Sequence, residues 1–257
     1  MLNILWAALS DTFARPDFRE KLHLIKALFV QRKFEEIFQK ENLEIYAAEY
    51  ASSRALAYYE IFRKHSALRD VLRMDNAVVY AIGSGCGSEL IALTCASLGS
   101  TIKDKKTRLI LQDMADYTDV VGRLEKTLRL KWKVGLERLQ VEFHVGNVLD
   151  EEKSWQPFAT ADLIMANFII NELFCTSKTK TVKLILNLVR SMKKGALLCV
   201  IDSAGSFNEI AVNGKTYSYI NLLTDSVLLR LLSGKTAHGT DILPALTINA
   251  NSTIRGI

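Results

Sequence analysis

The chain has 257 residues, 49% of them hydrophobic and only three of them proline, which is enough to bury one large core with an extension and excludes a disordered or fibrous chain. Four cysteines form no C-x-x-C pair and four histidines lie far apart, so neither a disulfide framework nor a zinc site is suggested, and reduced, intracellular thiols without a metal are expected. Lysine and arginine exceed aspartate and glutamate by 33 to 28, an excess compatible with an anionic partner and equally with an ordinary solvated surface.

The apolar opening Leu2 to Leu9 lacks a basic n-region and is soon followed by Asp11 and Arg15, unlike a signal peptide. No run reaches transmembrane length, so no membrane association is expected. Phe18, Leu22, Ile25 and Phe29, extended by Phe34, Ile37 and Phe38, recur at helical spacing and predict one or two helices over residues 17 to 39. A further helical pattern runs from Leu43 to Leu72 and concentrates Tyr50, Tyr58 and Tyr59 around Arg54. Such an element suits a cover over a cofactor or a grip on a substrate, while core packing is the role expected for most of its rings. Residues 1 to 75 therefore read as a helical extension, and residues 76 to 257 as the domain that follows.

That domain opens on Ala77-Val78-Val79-Tyr80-Ala81-Ile82, a short β-branched run that suits a buried parallel strand. It leads into Gly83-Ser84-Gly85-Cys86-Gly87 and a helical pattern beginning at Ser88 and Glu89. Glycine is needed where a loop reaches positive φ against a ligand, and the free N–H groups of the following helix start face whatever the loop holds. A dinucleotide fingerprint G-x-G-x-x-G would place its third glycine at position 88, which is Ser88. The G-x-G-x-G spacing resembles motif I of class I S-adenosylmethionine-dependent methyltransferases. In that pattern an acid usually stands where this chain has Ala81, and Glu89 is the substitute for holding the methionine amino group.

The second strand, Thr107 to Asp113, ends in an acid about 30 residues after the first glycine, placed to accept from vicinal ribose hydroxyls or, alternatively, to cap the next helix. The third, Gln140 to Val145, leads into Gly146-Asn147. Methyltransferases often carry an acid at the second of these positions to accept from the adenine amino group, and the amide oxygen of Asn147 still accepts. His144 reads as a packed strand residue rather than a base. Ala161 to Asn167 forms a fourth strand, followed by Phe168 to Phe174 and a helix through Val182, Ile185, Leu186, Val189 and Met192 that Gly195 stops. Ala196 to Asp202 is the fifth strand. This alternation predicts an α/β fold with a Rossmann-like parallel sheet. Ligands of such sheets bind beyond the carboxyl ends of the strands, so Asn167 is expected on the cofactor side and Phe168, Asn171 and Glu172 toward the substrate.

The combination of Gly83 to Leu90, Asn171-Glu172-Leu173-Phe174, Val200 to Phe207, Gly214-Lys215-Thr216-Tyr217 and Leu222 to Asp225, with Ser52 to Tyr58 upstream, resembles the fungal large-subunit ribosomal RNA methyltransferases that modify uracil N3. The likeness runs over roughly residues 17 to 228. It implies S-adenosylmethionine as cofactor, held by Gly83, Ser84, Gly85, Gly87, Glu89, Asp113, Asn147 and Asn167. It implies ribosomal RNA as partner, contacted by Phe168, Arg54 and Lys178; for such chemistry Glu172 is either the base at N3 or an N-cap or salt-bridge residue of the next helix, with Asn171 beside the uracil. Six basic residues and no acidic one lie between Cys175 and Ile201, and six basic residues against Glu125 and Glu137 between Arg123 and Arg138. Either stretch is an RNA-facing helix or a solvated face. A monomer in the nucleolus or nucleus, alternatively the cytoplasm, completes the expectation. A small-molecule or protein methyltransferase on the same fold, and a non-catalytic RNA-binding or ribosome-assembly factor, remain alternatives. The family's sheet usually ends in an antiparallel hairpin, whereas Leu231 to Ile257 offers little strand pattern beyond Ala245 to Ile248.

Overall fold

A computed structural model of the chain describes residues 1–98, 105–150, 156–202, 209–212, 215–218 and 245–247. The chain forms two compact units, Met1–Ala77 with Ser84–Gly146, and Val78–Gly83 with Asn147–Ile257. Helices alternate with parallel strands after an all-helical start, which is the Rossmann-like α/β class with an N-terminal helical extension.

In the first unit, α1 (Leu2–Phe13), α2 (Phe18–Val30), α3 (Phe34–Ile37), α4 (Lys40–Lys64) and α5 (Ser66–Val71) precede α6 (Ser88–Leu98), β2 (Thr107–Asp113), α7 (Thr118–Trp132) and β3 (Leu139–Val145). The long helix α4 turns Ala47, Ala48, Ala51 and Ala55 inward. Their small side chains let another helix come close, and Ser88 Oγ donates to the Ala51 carbonyl at 3.3 Å, tying the start of α6 to the middle of α4. On α7 the buried residues Val120, Val121, Leu124 and Leu128 form one stripe, the period expected of an amphipathic helix. Glu44 of α4 bridges to Arg123 of α7 at 2.9 Å. Strands β2 and β3 pair in parallel from Thr107 opposite Leu139 to Asp113 opposite Val145.

In the second unit β1 (Ala77–Ile82), β4 (Leu163–Asn167), β5 (Leu197–Ile201) and the three-residue β8 (Ala245–Thr247) run in parallel in that spatial order. β4 and β5 are buried along their whole length, as their unbroken apolar runs require. Between them α8 (Ile170–Thr176) and α9 (Lys178–Ser191) follow β4, and α9 buries Thr181, Leu184, Ile185 and Leu188. Asp162 locks the start of the sheet: its Oδ2 accepts from Val78 N–H at 2.8 Å and its Oδ1 pairs with Lys193 at 2.7 Å.

β6 (Glu209–Val212) and β7 (Lys215–Ser218) form an antiparallel pair of their own. Among the described residues it is β8, running parallel, that extends β5, within the strand pattern expected from Ala245 onward. The motif residues 203–207, Gly214 and 222–225 lie outside the described residues.

Candidate functional site

The loop after β1 is shaped by the acid at the end of β2. Asp113 is buried, its Oδ2 accepts the Gly85 N–H at 2.7 Å and its Oδ1 accepts the Ala115 N–H at 2.9 Å. Burial pushes the carboxyl pKa up, against the pull of these amides and of Arg54 toward the ionised form. Ser84 extends the tie, its N–H donating to the Gln112 carbonyl at 3.0 Å and its hydroxyl to the same oxygen at 3.4 Å. Gly146 N–H donates to the Asp113 carbonyl at 2.8 Å, so the turn after β3 is fastened to the same residue. Gly85 has φ +49°, and a Cβ built there meets only Asp113 Oδ2, at 4.0 Å. Open space beside a carboxylate and a bare backbone is a cradle that a side chain would fill and a ligand can occupy. Gly87, at φ +78°, follows with its carbonyl accepting the Leu90 N–H, which opens α6.

Arg54, on α4, belongs to the same neighbourhood. Its Nη1 donates to the Tyr46 hydroxyl at 2.6 Å, and the guanidinium lies over the rings of Tyr46 and Tyr50, 5.2 and 5.4 Å from their centroids. Burial opposes its charge, yet Tyr46, Tyr58 and Cys86 more than offset that, and the pKa is raised. The Cys86 thiol is itself pushed up by burial and drawn down by Arg54, so it stays protonated. Glu89 is buried in the first turn of α6 and acts with burial to raise the Tyr58 hydroxyl. Five of the expected residues, Ser84, Gly85, Gly87, Glu89 and Asp113, thus gather around one loop, together with Arg54.

The remaining expected residues lie in the second unit, Gly83 after β1, Asn147 in the turn following β3, Asn167 to Glu172 around the end of β4, and Lys178 at the start of α9. Gly83 has φ +62°, and a Cβ there would stand 2.5 Å from Ile169 Cγ1, so only glycine lets that chain segment pass. Asn167 is buried opposite Ile201. Phe168 sits at φ +56°, unusual for an aromatic residue, and its N–H donates to the Ile201 carbonyl at 2.6 Å. Asn171 is turned by Asp202: its backbone N–H donates to Oδ2 at 3.1 Å and its amide Nδ2 to Oδ1, while its Oδ1 has no hydrogen-bond partner among the described residues. Glu172, half-buried, lies in the first turn of α8. Asn147 Oδ1 accepts the Leu149 N–H at 2.9 Å, shaping the local turn. Lys178, exposed, is the first residue of α9.

One expectation is corrected. His144 is exposed on β3 with Nε2 3.5 Å from Glu142, rather than packed, because among the described residues β3 is paired on its β2 side alone. Two residues were given no role in the sequence. Asp202 follows the fifth strand 31 positions from the asparagine it orients, and Tyr46 precedes by eight positions the arginine it holds. Asp202 had two signals, an acid at a strand end like Asp113 and a place in the Val200 to Phe207 motif, but neither pointed to Asn171.

A family model described as "Putative SAM-dependent methyltransferase" matches residues 6–237. The chain is also similar to the 25S rRNA (uridine(2843)-N(3))-methyltransferase of Saccharomyces cerevisiae, 28% identical over 237 residues that cover 82% of this chain and 65% of that protein. The chain therefore spans about two thirds of the length of the curated relative it matches.

Proposed function

The chain belongs to the family of S-adenosylmethionine-dependent methyltransferases, and from that premise we propose that it methylates large-subunit ribosomal RNA at N3 of a uracil. S-adenosylmethionine is the cofactor, and the open cradle at Gly85, backed by the Asp113 carboxylate, fits a ligand with a ribose and an amino-acid arm. Gly83, Ser84, Gly85, Gly87, Glu89, Asp113, Asn147 and Asn167 are the residues that would hold it. When bound it supplies an activated methyl group on a sulfonium. The observation that carries the RNA reading is the likeness to a relative whose name states uridine N3 methylation of 25S rRNA.

The protein's own residues then have two tasks. Uracil N3 lies on the Watson–Crick edge and carries a proton, so the base must be unpaired and must lose that proton before it is a nucleophile. Phe168 stacks on the exposed base. Asn171, its amide plane fixed by Asp202, orients the uracil edge by hydrogen bonds, and Glu172 takes the N3 proton. Lys178 and its neighbours on α9 bind the RNA backbone. Residues 1–75 are in this reading an extension ahead of a catalytic domain over 76–257, a division supported by the run of helices alone before the first strand at Ala77. In this reading the protein works as a monomer in the nucleolus or nucleus, or alternatively in the cytoplasm.

The test is transfer of labelled methyl from S-adenosylmethionine to large-subunit ribosomal RNA, followed by nucleoside mass spectrometry. Labelled N3-methyluridine is the expected product. Label on another atom overturns the N3 assignment, and label in small molecules or proteins but not in RNA overturns the substrate class.

A further inference from the structure

S-adenosylmethionine ends in an α-amino acid, a carboxylate beside an ammonium, and this chain has Ala81, near the end of β1, at the position where the related methyltransferases usually carry an acid. What grips that end must come from elsewhere. Ser88 is bonded to the carbonyl of Ala51, and residue 54 lies one helical turn further along the same face of α4. Arg54 accordingly acts electrostatically on Cys86, in the middle of the glycine loop, and on Asp113 behind it. Glu89 acts on the same Cys86 with the opposite sign. A cation and an anion that both act on one loop residue match the two charges of an amino acid.

The arginine is also built for a fixed ligand. Stacking on Tyr46 and Tyr50 and the bond to the Tyr46 hydroxyl set the plane of the guanidinium, and a pre-set planar fork is what a carboxylate recognises best. Its side chain is half-buried, which suits a small ligand better than a long RNA strand. We propose that Arg54 is a cofactor-specificity residue whose guanidinium takes the α-carboxylate of S-adenosylmethionine, with Glu89 facing the ammonium, and that it is not an RNA contact. This rests on the cofactor reading above.

Calorimetry on the full chain with three probes tests it: S-adenosylmethionine, its decarboxylated analogue, and 5′-methylthioadenosine, which lacks the amino acid altogether. Wild type is expected to bind the decarboxylated analogue roughly tenfold or more weakly than S-adenosylmethionine, the loss of one charge-assisted hydrogen-bonding pair. Arg54→Met should bind both with the same weakened affinity and 5′-methylthioadenosine with unchanged affinity, and its RNA affinity should equal wild type. Arg54→Lys, which keeps the charge but not the fork, should discriminate partially, and it serves in place of the methionine variant if that one does not fold. Equal wild-type affinity for the first two probes, discrimination surviving in Arg54→Met, equal weakening of all three probes, or loss of RNA affinity alone would each overturn the assignment. Failure of wild type to bind any of the three overturns the cofactor reading as well, so the two failures are told apart.

Discussion

At the scale of single residues, Asp113 does two things that pull against each other. As a ligand acceptor it must be ionised, while its burial raises its pKa. The folded state thus holds the Asp113 proton more tightly than the unfolded chain does. Through this group the ligand-free fold gains stability as pH falls through the raised folded pKa, and the gain is complete below the unfolded value. Cofactor binding runs the other way and is lost as pH falls through the raised value, earlier than for an ordinary aspartate. A calorimetric pH series should show that loss in wild type and its absence in Asp113→Ala. At neutral pH that variant should bind S-adenosylmethionine roughly tenfold more weakly, about 1 to 3 kcal/mol for an acceptor that bonds two backbone amides. Gly85→Val should be at least as damaging, since it fills the cradle and strains a backbone at φ +49°; unchanged affinity in both folded variants would remove these residues from the site. For Glu172 the deciding measurement is a single-turnover pH profile. Glu172→Gln is expected to keep cofactor and RNA affinity and to lose rate at neutral pH, with partial recovery as rising pH ionises N3 unaided. A wild-type rate at neutral pH rules the glutamate out as the base.

At the scale of elements, α9 places Lys178, Lys180 and Lys183 in its N-terminal half, where the helix dipole disfavours positive charge by roughly 0.3 to 1 kcal/mol per residue. They are not there for the helix. Lys180 reaches Asp150 at 3.5 Å, an exposed pair that contributes little to stability. The stretch from Arg123 to Arg138 is different. Arg123 bridges to Glu44, while Arg129 bonds Glu125 and the carbonyls of Val134 and Leu139, so much of its positive charge is bound up in holding α7 to its neighbours. Replacing Lys178, Lys180 and Lys183 together by Gln should weaken RNA binding for all sequences and flatten its salt dependence, because fewer counterions are released. Cofactor affinity should stay put. A wild-type salt slope in the triple variant would mark the lysines as a solvated face.

At the scale of the whole molecule, a cofactor that binds the folded chain and not the unfolded one must raise its melting temperature. At a ligand concentration about a hundredfold above Kd the linkage is worth about 2.7 kcal/mol, which for a chain of this size amounts to roughly 5 to 10 °C. Differential scanning calorimetry across a series of S-adenosylmethionine concentrations should show a rise that grows with the logarithm of concentration. A flat melting temperature would mean that the cofactor does not engage the fold. No helix among the described residues is long and apolar enough to cross a membrane, and no cluster of three or more His, Cys, Asp or Glu that would hold a metal ion forms among them.

Local pattern was enough to read the strand, the glycine loop and the helix from Ala77 to Leu98 and the acid that ends the second strand, because turn chemistry and hydrophobic period are properties of neighbouring residues; on α9 it found the helix but not its face, since of Val182, Ile185, Leu186, Val189 and Met192 only Ile185 is buried and Val182 is exposed. The same reading found Gly85 and Asp113 separately, but only the fold shows the 2.7 Å bond between them. Which carboxylate turns Asn171 was decided by elements meeting across 31 residues, while Tyr46 holds Arg54 from eight residues away on the same helix and His144 looks outward beside Glu142 of its own strand. Periodicity says that a strand or helix has a face to bury. It does not say what stands opposite that face, and hydrogen-bond partners and shifted pKa values depend on what stands opposite.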